Sequence, residues 1–296
     1  MGALAGRTLF MSGGSRGIGE AIAVAAAREG ANIAIAAKTD APHPKLPGTI
    51  HTAAAAIEAA GGKALPLICD IRDEAQVADA VTRAAAHFGG IDICVNNASA
   101  IQLTGTAATE VKRYDLMTGV NSRGTFVVTR ACLPHLLNSD HAHILTLAPP
   151  LDFNPVWLRS HPAYTLAKYG MTMLTLSWAA EFDGRISANC LWPRTPIDTA
   201  AVRNLLGGAA LAAQSRTPEI MGEAAAAILA KGRAFTGWCC LDDLVLAAEG
   251  VSDFERFAVT PGGPLQSDFF LPADTPAPGE ANGAVGWRAP TLPALG

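Results

Sequence analysis

The chain has 296 residues, half of them hydrophobic and 16% charged, with a formal net charge of −4 at pH 7. That length suits one large α/β domain, and the low charge density leaves apolar side chains for an extensive core. Mild acidity with no basic block argues against nucleic acid and anionic membrane surfaces as partners.

Short aliphatic and β-branched runs alternate with longer Ala-rich stretches. Strands are predicted at residues 8–12, 32–36, 64–69, 91–95, 143–147, 186–191 and 237–241. Helices are predicted between them at 18–29, 52–60, 74–88, 109–137, 163–182 and 218–231. Asp73 stands where an N-cap should, before Glu74, and Gly89-Gly90 ends that helix; Gly30 and Gly61-Gly62 end the two before it. Strand-helix repetition means right-handed βαβ units, hence a doubly wound parallel sheet with helices on both faces. Pro42, Pro44 and Pro47 mark a loop inserted after the second strand. A single domain is expected over residues 1–271, and 272–296, rich in Pro, Gly and Ala, reads as a mostly irregular tail.

No apolar run reaches membrane-spanning length, and the first seven residues lack a basic-then-apolar export pattern, so a cytoplasmic location is expected. The six cysteines show no Cys-x-x-Cys spacing, and neither they nor the seven histidines have zinc-ligand spacing. Reduced structural thiols and no metal are the expectation.

The first chemical signal is Ser12-Gly13-Gly14-Ser15-Arg16-Gly17-Ile18-Gly19, placed after a strand and opening a helix. Gly13 permits a tight turn, Gly17 and Gly19 admit a pyrophosphate close to backbone, and the helix N-terminus offers unpaired N–H donors. Asn96-Asn97-Ala98-Ser99 follows the fourth strand, Asn121 sits mid-helix, and Tyr164 and Lys168 are four apart. Positions i and i+4 share a helix face, and a nearby ammonium lowers a phenol pKa toward the working range.

Taken in order, these four motifs resemble the short-chain dehydrogenase/reductase family over about residues 5–260. A narrower likeness within it rests on residues 36–39, 42–46, 154–157, 191–195 and 264–270. The resemblance implies a Rossmann fold and an NAD(P)-dependent enzyme acting on a carbonyl/alcohol pair. It assigns Tyr164 as general acid/base and gives Lys168 the ribose hydroxyls as well as the pKa of Tyr164. It makes Asn121 the holder of a proton-relay water and Asp70 a contact of the adenine. It also places Gly13, Ser15, Arg16, Gly17, Ile18, Gly19, Lys38, Ile71, Asn97, Ala98, Pro193, Thr195 and Ile197 against the dinucleotide. Arg16 and Lys38 without a carboxylate before Asp40 point to NADP(H). The family's matching helices form two-fold interfaces, so a homodimer or homotetramer is expected. Phe126, Val127, Val128, Met171, Met173, Leu174, Leu176 and Trp178 are the apolar candidates.

Apolar segments 149–157 and 200–213, with Phe153, Trp157, Leu205, Leu206 and Leu211, suggest a lipophilic substrate. The family's serine at the end of the fifth strand is Ala148 here, leaving Thr146 and Ser99 as replacement donors. A weak reductase improved by Ala148→Ser is expected. The alternative is a dinucleotide-binding protein without catalysis.

Overall fold

The computed structural model describes residues 2–43 and 46–289; Pro44 of the inserted loop and residues 290–296 of the expected tail lie outside the described residues. The strands are β1 (Thr8–Ser12), β2 (Asn32–Ala37), β3 (Lys63–Ile68), β4 (Ile93–Asn96), β5 (His143–Thr146), β6 (Ser187–Trp192), β7 (Trp238–Leu241) and β8 (Gly286–Arg288). The helices are α1 (Gly17–Arg28), α2 (Ile50–Ala59), α3 (Glu74–Phe88), α4 (Val111–Thr118) and α5 (Gly124–Leu136). There follow α6 (Pro155–Ser160), α7 (Pro162–Glu181), α8 (Gly208–Ala213), α9 (Glu219–Leu229) and α10 (Asp242–Ala248).

One sheet runs β3-β2-β1-β4-β5-β6-β7-β8. The first seven strands are parallel, and β8 pairs antiparallel with β7. Every residue of β1, β4, β5 and β6 is buried, as a sheet covered on both faces requires. Alternation along β1 divides the core. Leu9 and Met11 pack with Ile22 of α1, Ile57 of α2 and Met221 of α9. Phe10 packs on the other face with Val77 of α3, Val128 of α5 and Trp178 of α7. Truncating one of these buried side chains to Ala would cost about 2–5 kcal/mol.

β1 pairs with both β2 and β4, so the strand order reverses beside it. Chains leaving the carboxyl ends of β1 and β4 diverge there and open a crevice. This crevice holds the candidate site.

Local chemistry explains the helix ends. Asp73 accepts from the N–H groups of Ala75 and Gln76, and Gly89 closes α3 at φ 87°. The predicted helix 109–137 is interrupted by a π-helical turn at Gly119–Arg123. At Gly124, where α5 resumes, a Cβ would come within 2.6 Å of Ile71, so glycine lets the helix pack closely. Two readings need correction. Short helices α6 and α8 occupy stretches left without structure, and the tail expected to be mostly irregular contributes the three-residue β8. Leu241 N–H donates to Val285 C=O at 2.9 Å and Ala289 N–H to Gly237 C=O at 2.9 Å. Edge pairing through backbone needs no hydrophobic alternation, so composition did not betray it.

Candidate active site

The Gly-rich turn forms one wall. Gly13 has φ 76°, and a Cβ there would meet the Ala98 Cα at 2.7 Å. Asn97 Nδ2 donates to Gly13 C=O at 2.8 Å, tying the end of β4 to the turn. No side chain caps α1, whose first N–H groups stay available for an anion. A groove of about 490 Å³ runs past Gly13, Ser15, Arg16, Gly17, Ile18, Gly19, Lys38, Asp70, Ile71, Asn97 and Ala98. Eleven expected dinucleotide residues thus share one groove. Asp70 is held well below the usual carboxylate range, chiefly by Arg72, with Lys38 at 3.4 Å adding to it.

The groove runs into a cavity of about 200 Å³; Ile18, Asn97, Ser99, Thr199 and Ala201 line both. Tyr164 and Lys168 line this cavity from one face of α7, and both are buried. Lys168 Nζ donates to Leu147 C=O at 2.6 Å and lies 5.0 Å from the Trp192 ring centroid. Burial pushes Lys168 down to about 7, whereas it pushes the Tyr164 hydroxyl up. Desolvation, with a further push from Asp268, thus raises Tyr164 in the protein alone, opposite to the lowering expected from the ammonium.

Pro193 and Ile197 also line the cavity. Two expected residues do not. The Thr195 hydroxyl is buried beside it without a partner. Asn121 is fully buried in the π-helical turn. Its Oδ1 accepts from Ala100 N–H at 2.7 Å and its Nδ2 donates to Ala100 C=O at 3.0 Å. As placed, the Asn121 side chain positions a groove-lining loop instead of facing the cavity.

The serine question also resolves geometrically. Ala148 is buried with Met171, Cys190 and Cys239, away from the cavity. Thr146 shares that face and is bound to Thr175 at 2.8 Å. Leu147, between them, faces the cavity, because side chains alternate along a strand. Neither Ala148 nor Thr146 is thus a substrate donor, while Ser99 remains on the lining.

Among the lining residues that the sequence reading did not place at the site are Asp268 and Phe269. They arrive on a strap after the last large helix, anchored by Asp268 N–H donating to Arg194 C=O at 2.9 Å. Phe270 sits at φ 67° yet is fully buried, within 5.3–6.1 Å of the rings of Trp157, His161, Tyr164, Tyr169 and Trp192. Such a conformation costs roughly 1–3 kcal/mol and persists where packing over-determines it. Arg194 secures the strap further. It pairs with buried Asp243 and donates to Pro276 C=O at 2.7 Å. The segment resembled a subgroup of the family, but no sequence spacing links residue 268 to 164.

All six cysteines are free and buried. Among the described residues no cluster of metal-binding side chains occurs, and no helix is long and apolar enough to cross a membrane.

A groove at the switch point, ending on a buried Tyr–Lys pair, defines a dinucleotide-dependent oxidoreductase of short-chain type. Residues 7–210 match the short chain dehydrogenase family, and the chain belongs to it. It is 57% identical over 287 residues to hydroxysteroid dehydrogenase-like protein 2 of Danio rerio, covering 96% of this chain and 69% of that protein. The human protein of that name is 56% identical over 270 residues, covering 91% and 64%. The chain spans about two thirds of the length of these relatives. Among solved structures, a short chain dehydrogenase from Mycobacterium thermoresistibile is 50% identical with a TM-score of 0.86, covering 92% of this chain and 97% of that one. A dehydrogenase from Xanthomonas campestris is 56% identical with a TM-score of 0.88, covering 91% of this chain and 99% of that one. The family binds NAD(P).

Proposed function

We infer that this protein transfers hydride between NADP(H) and a lipophilic carbonyl/alcohol pair, with Tyr164 as acid/base. The observation that carries this reading is the joined groove and cavity, with the Tyr164–Lys168 pair at the inner end. A bound nicotinamide dinucleotide supplies the hydride. Gly13 through Gly19 and the open end of α1 would take its pyrophosphate, and Asp70 and Ile71 its adenine side.

In reduction Tyr164 gives its proton to the carbonyl oxygen. Lys168, kept charged, stabilises the phenolate left behind. Arg16 and Lys38 line the groove, whereas Asp40 pairs with His51 at 2.7 Å. Two cations at the expected ribose position favour a 2′-phosphate. Ile101, Leu147, Trp192, Val202, Leu206 and Phe269 make the cavity wall apolar, which suits a lipophilic substrate. We place this activity in residues 1–271 and expect a cytoplasmic oligomer.

The second reading, dinucleotide binding without turnover, is favoured by one observation: residues 147–151 bear no hydroxyl. NADPH oxidation over a panel of ketones and aldehydes separates the two. Turnover that falls about 10²–10⁴-fold in Tyr164→Phe, with NADPH binding intact, supports catalysis. Tight NADPH binding with no turnover on any carbonyl selects the second reading.

A further inference from the structure

The end of β5 leaves a chemical gap. Of residues 147–151 only Leu147 lines the cavity, so the strand offers no donor to a carbonyl oxygen beside Tyr164. Negative charge developing on that oxygen is stabilised by preorganised donors in a site that excludes water.

Across the cavity stands a carboxyl. Asp268 lines the same space as Tyr164 and Lys168, on a strap fixed by Arg194 and by the strained, buried Phe270. Asp268 is half-buried. Its two oxygens differ. Oδ1 accepts from Phe269 N–H at 2.7 Å, whereas Oδ2 makes no hydrogen bond among the described residues. Oδ2 is therefore the oxygen left to carry a proton. Burial favours the neutral acid and pushes it up to about 7, against the opposing Phe269 N–H and the pull of Lys168. A carboxylic acid kept neutral in this way is an O–H donor.

We propose that Asp268 is a catalytic residue whose protonated carboxyl donates from Oδ2 to the substrate oxygen that Tyr164 protonates. The proposal rests on reading the chain as a carbonyl reductase. In that reaction the carbonyl carbon gains hydride from the dinucleotide, which is oxidised, and the oxygen gains the Tyr164 proton. Asp268 keeps its own proton throughout. It stabilises charge passing through the oxygen, the part β5 cannot play.

Asp268→Asn preserves the acceptor for Phe269 N–H and puts an N–H where the O–H stood, while Asp268→Leu keeps bulk and removes both. Two readouts apply: NADPH oxidation with 2-decanone, and the infrared carbonyl band of ¹³C-labelled 2-decanone bound to the NADP⁺-loaded protein. NADPH fluorescence titration checks loading. Asp268→Leu should lose about 10²-fold in kcat and move the band to higher frequency. Asp268→Asn should retain most of the turnover and move the band part of the way. Wild-type kcat and band position in Asp268→Leu would overturn the proposal, as would Asp268→Asn being as impaired as Asp268→Leu. A comparable loss in Ser99→Ala with Asp268→Leu near wild type would assign the donor to Ser99 instead. If Asp268→Leu does not fold, an unmoved band in Asp268→Asn is equally decisive against it. Wild type that binds NADPH but neither turns over nor shifts the ketone band overturns the reductase reading and this proposal together.

Discussion

The hydroxyls of Thr146 and Thr175 are hydrogen-bonded at 2.8 Å beneath α7. Asn96 Nδ2 joins them from β4, lying 3.5 Å from Thr146 and 2.9 Å from Thr129. Thr146 therefore belongs to a buried polar network, and Ala148 packs on the same side. Thr146→Val should cost about 1–3 kcal/mol of stability, the penalty for stranding buried polar partners, with kcat/KM little changed. Ala148→Ser should bring no gain in kcat, because its hydroxyl would meet Met171 and the cysteines. Urea melts and steady-state assays of both variants check this.

Cofactor preference depends on cations that the fold brings to one wall. Arg16 Nε donates to Pro47 C=O and its Nη2 to Gly48 C=O, both at 2.8 Å, so the side chain is preorganised over the groove. Losing a charge-assisted hydrogen bond costs about 1.5–3 kcal/mol. Lys38→Ala and Arg16→Ala should each raise the NADPH dissociation constant about 10–100-fold and leave that of NADH nearly unchanged. Equal dissociation constants in the wild type would refute the preference.

Reduction should slow above pH 7. Burial sets Lys168 at about 7, and Asp268 also lies at about 7. Ionisable groups around them include Tyr164 on α7, Cys190 on β6 and His161, whose ring lies 6.0 Å from that of Tyr164. Both Lys168 and Asp268 must be protonated, so kcat/KM should be flat below pH 7 and fall above it. In Asp268→Asn the fall should become less steep, since one of two protons no longer matters.

Stability follows from the same lysine with a definite sign. Its folded pKa is depressed, so the cost of burying the ammonium is complete below about pH 7. The cost shrinks as pH rises toward the unfolded value near 10.4. Lys168→Met should therefore melt above wild type at pH 6, by about 2–4 °C per kcal/mol relieved. The difference should narrow by pH 10, and the variant should be inactive throughout. Asp268 acts oppositely, its raised pKa favouring the fold at acid pH and losing effect as pH passes 7.

Assembly is tested on a smaller surface than the sequence suggested. Val127, Val128, Met171 and Trp178 are buried within the chain, whereas Phe126, Leu166 and Met173 stay 45–59% exposed. Phe126→Asp with Met173→Glu should convert a dimer or tetramer to monomer in light scattering at micromolar concentration. A wild-type monomer would end the oligomer reading.

Much of this protein is legible in its residues because local rules agree with one another. Aliphatic runs broken by Gly-rich turns specify the parallel sheet, Asp73 and Gly89 delimit α3, and the i, i+4 spacing puts Tyr164 and Lys168 on one face. Glycines in the first βα turn mark the groove, since backbone approach there tolerates no Cβ. What local pattern cannot carry is the meeting of distant segments. Asp268 reaches Tyr164 only through the strap that Arg194, Asp243 and Phe270 secure. β8 joins the sheet by backbone bonds at Gly286, where a Cβ would come within 2.1 Å of the Cys239 carbonyl oxygen. The side chains of Thr146, Leu147 and Ala148 take their opposite surroundings from the way α7 crosses β5, and that crossing, set by packing, decided which of them meets the substrate cavity.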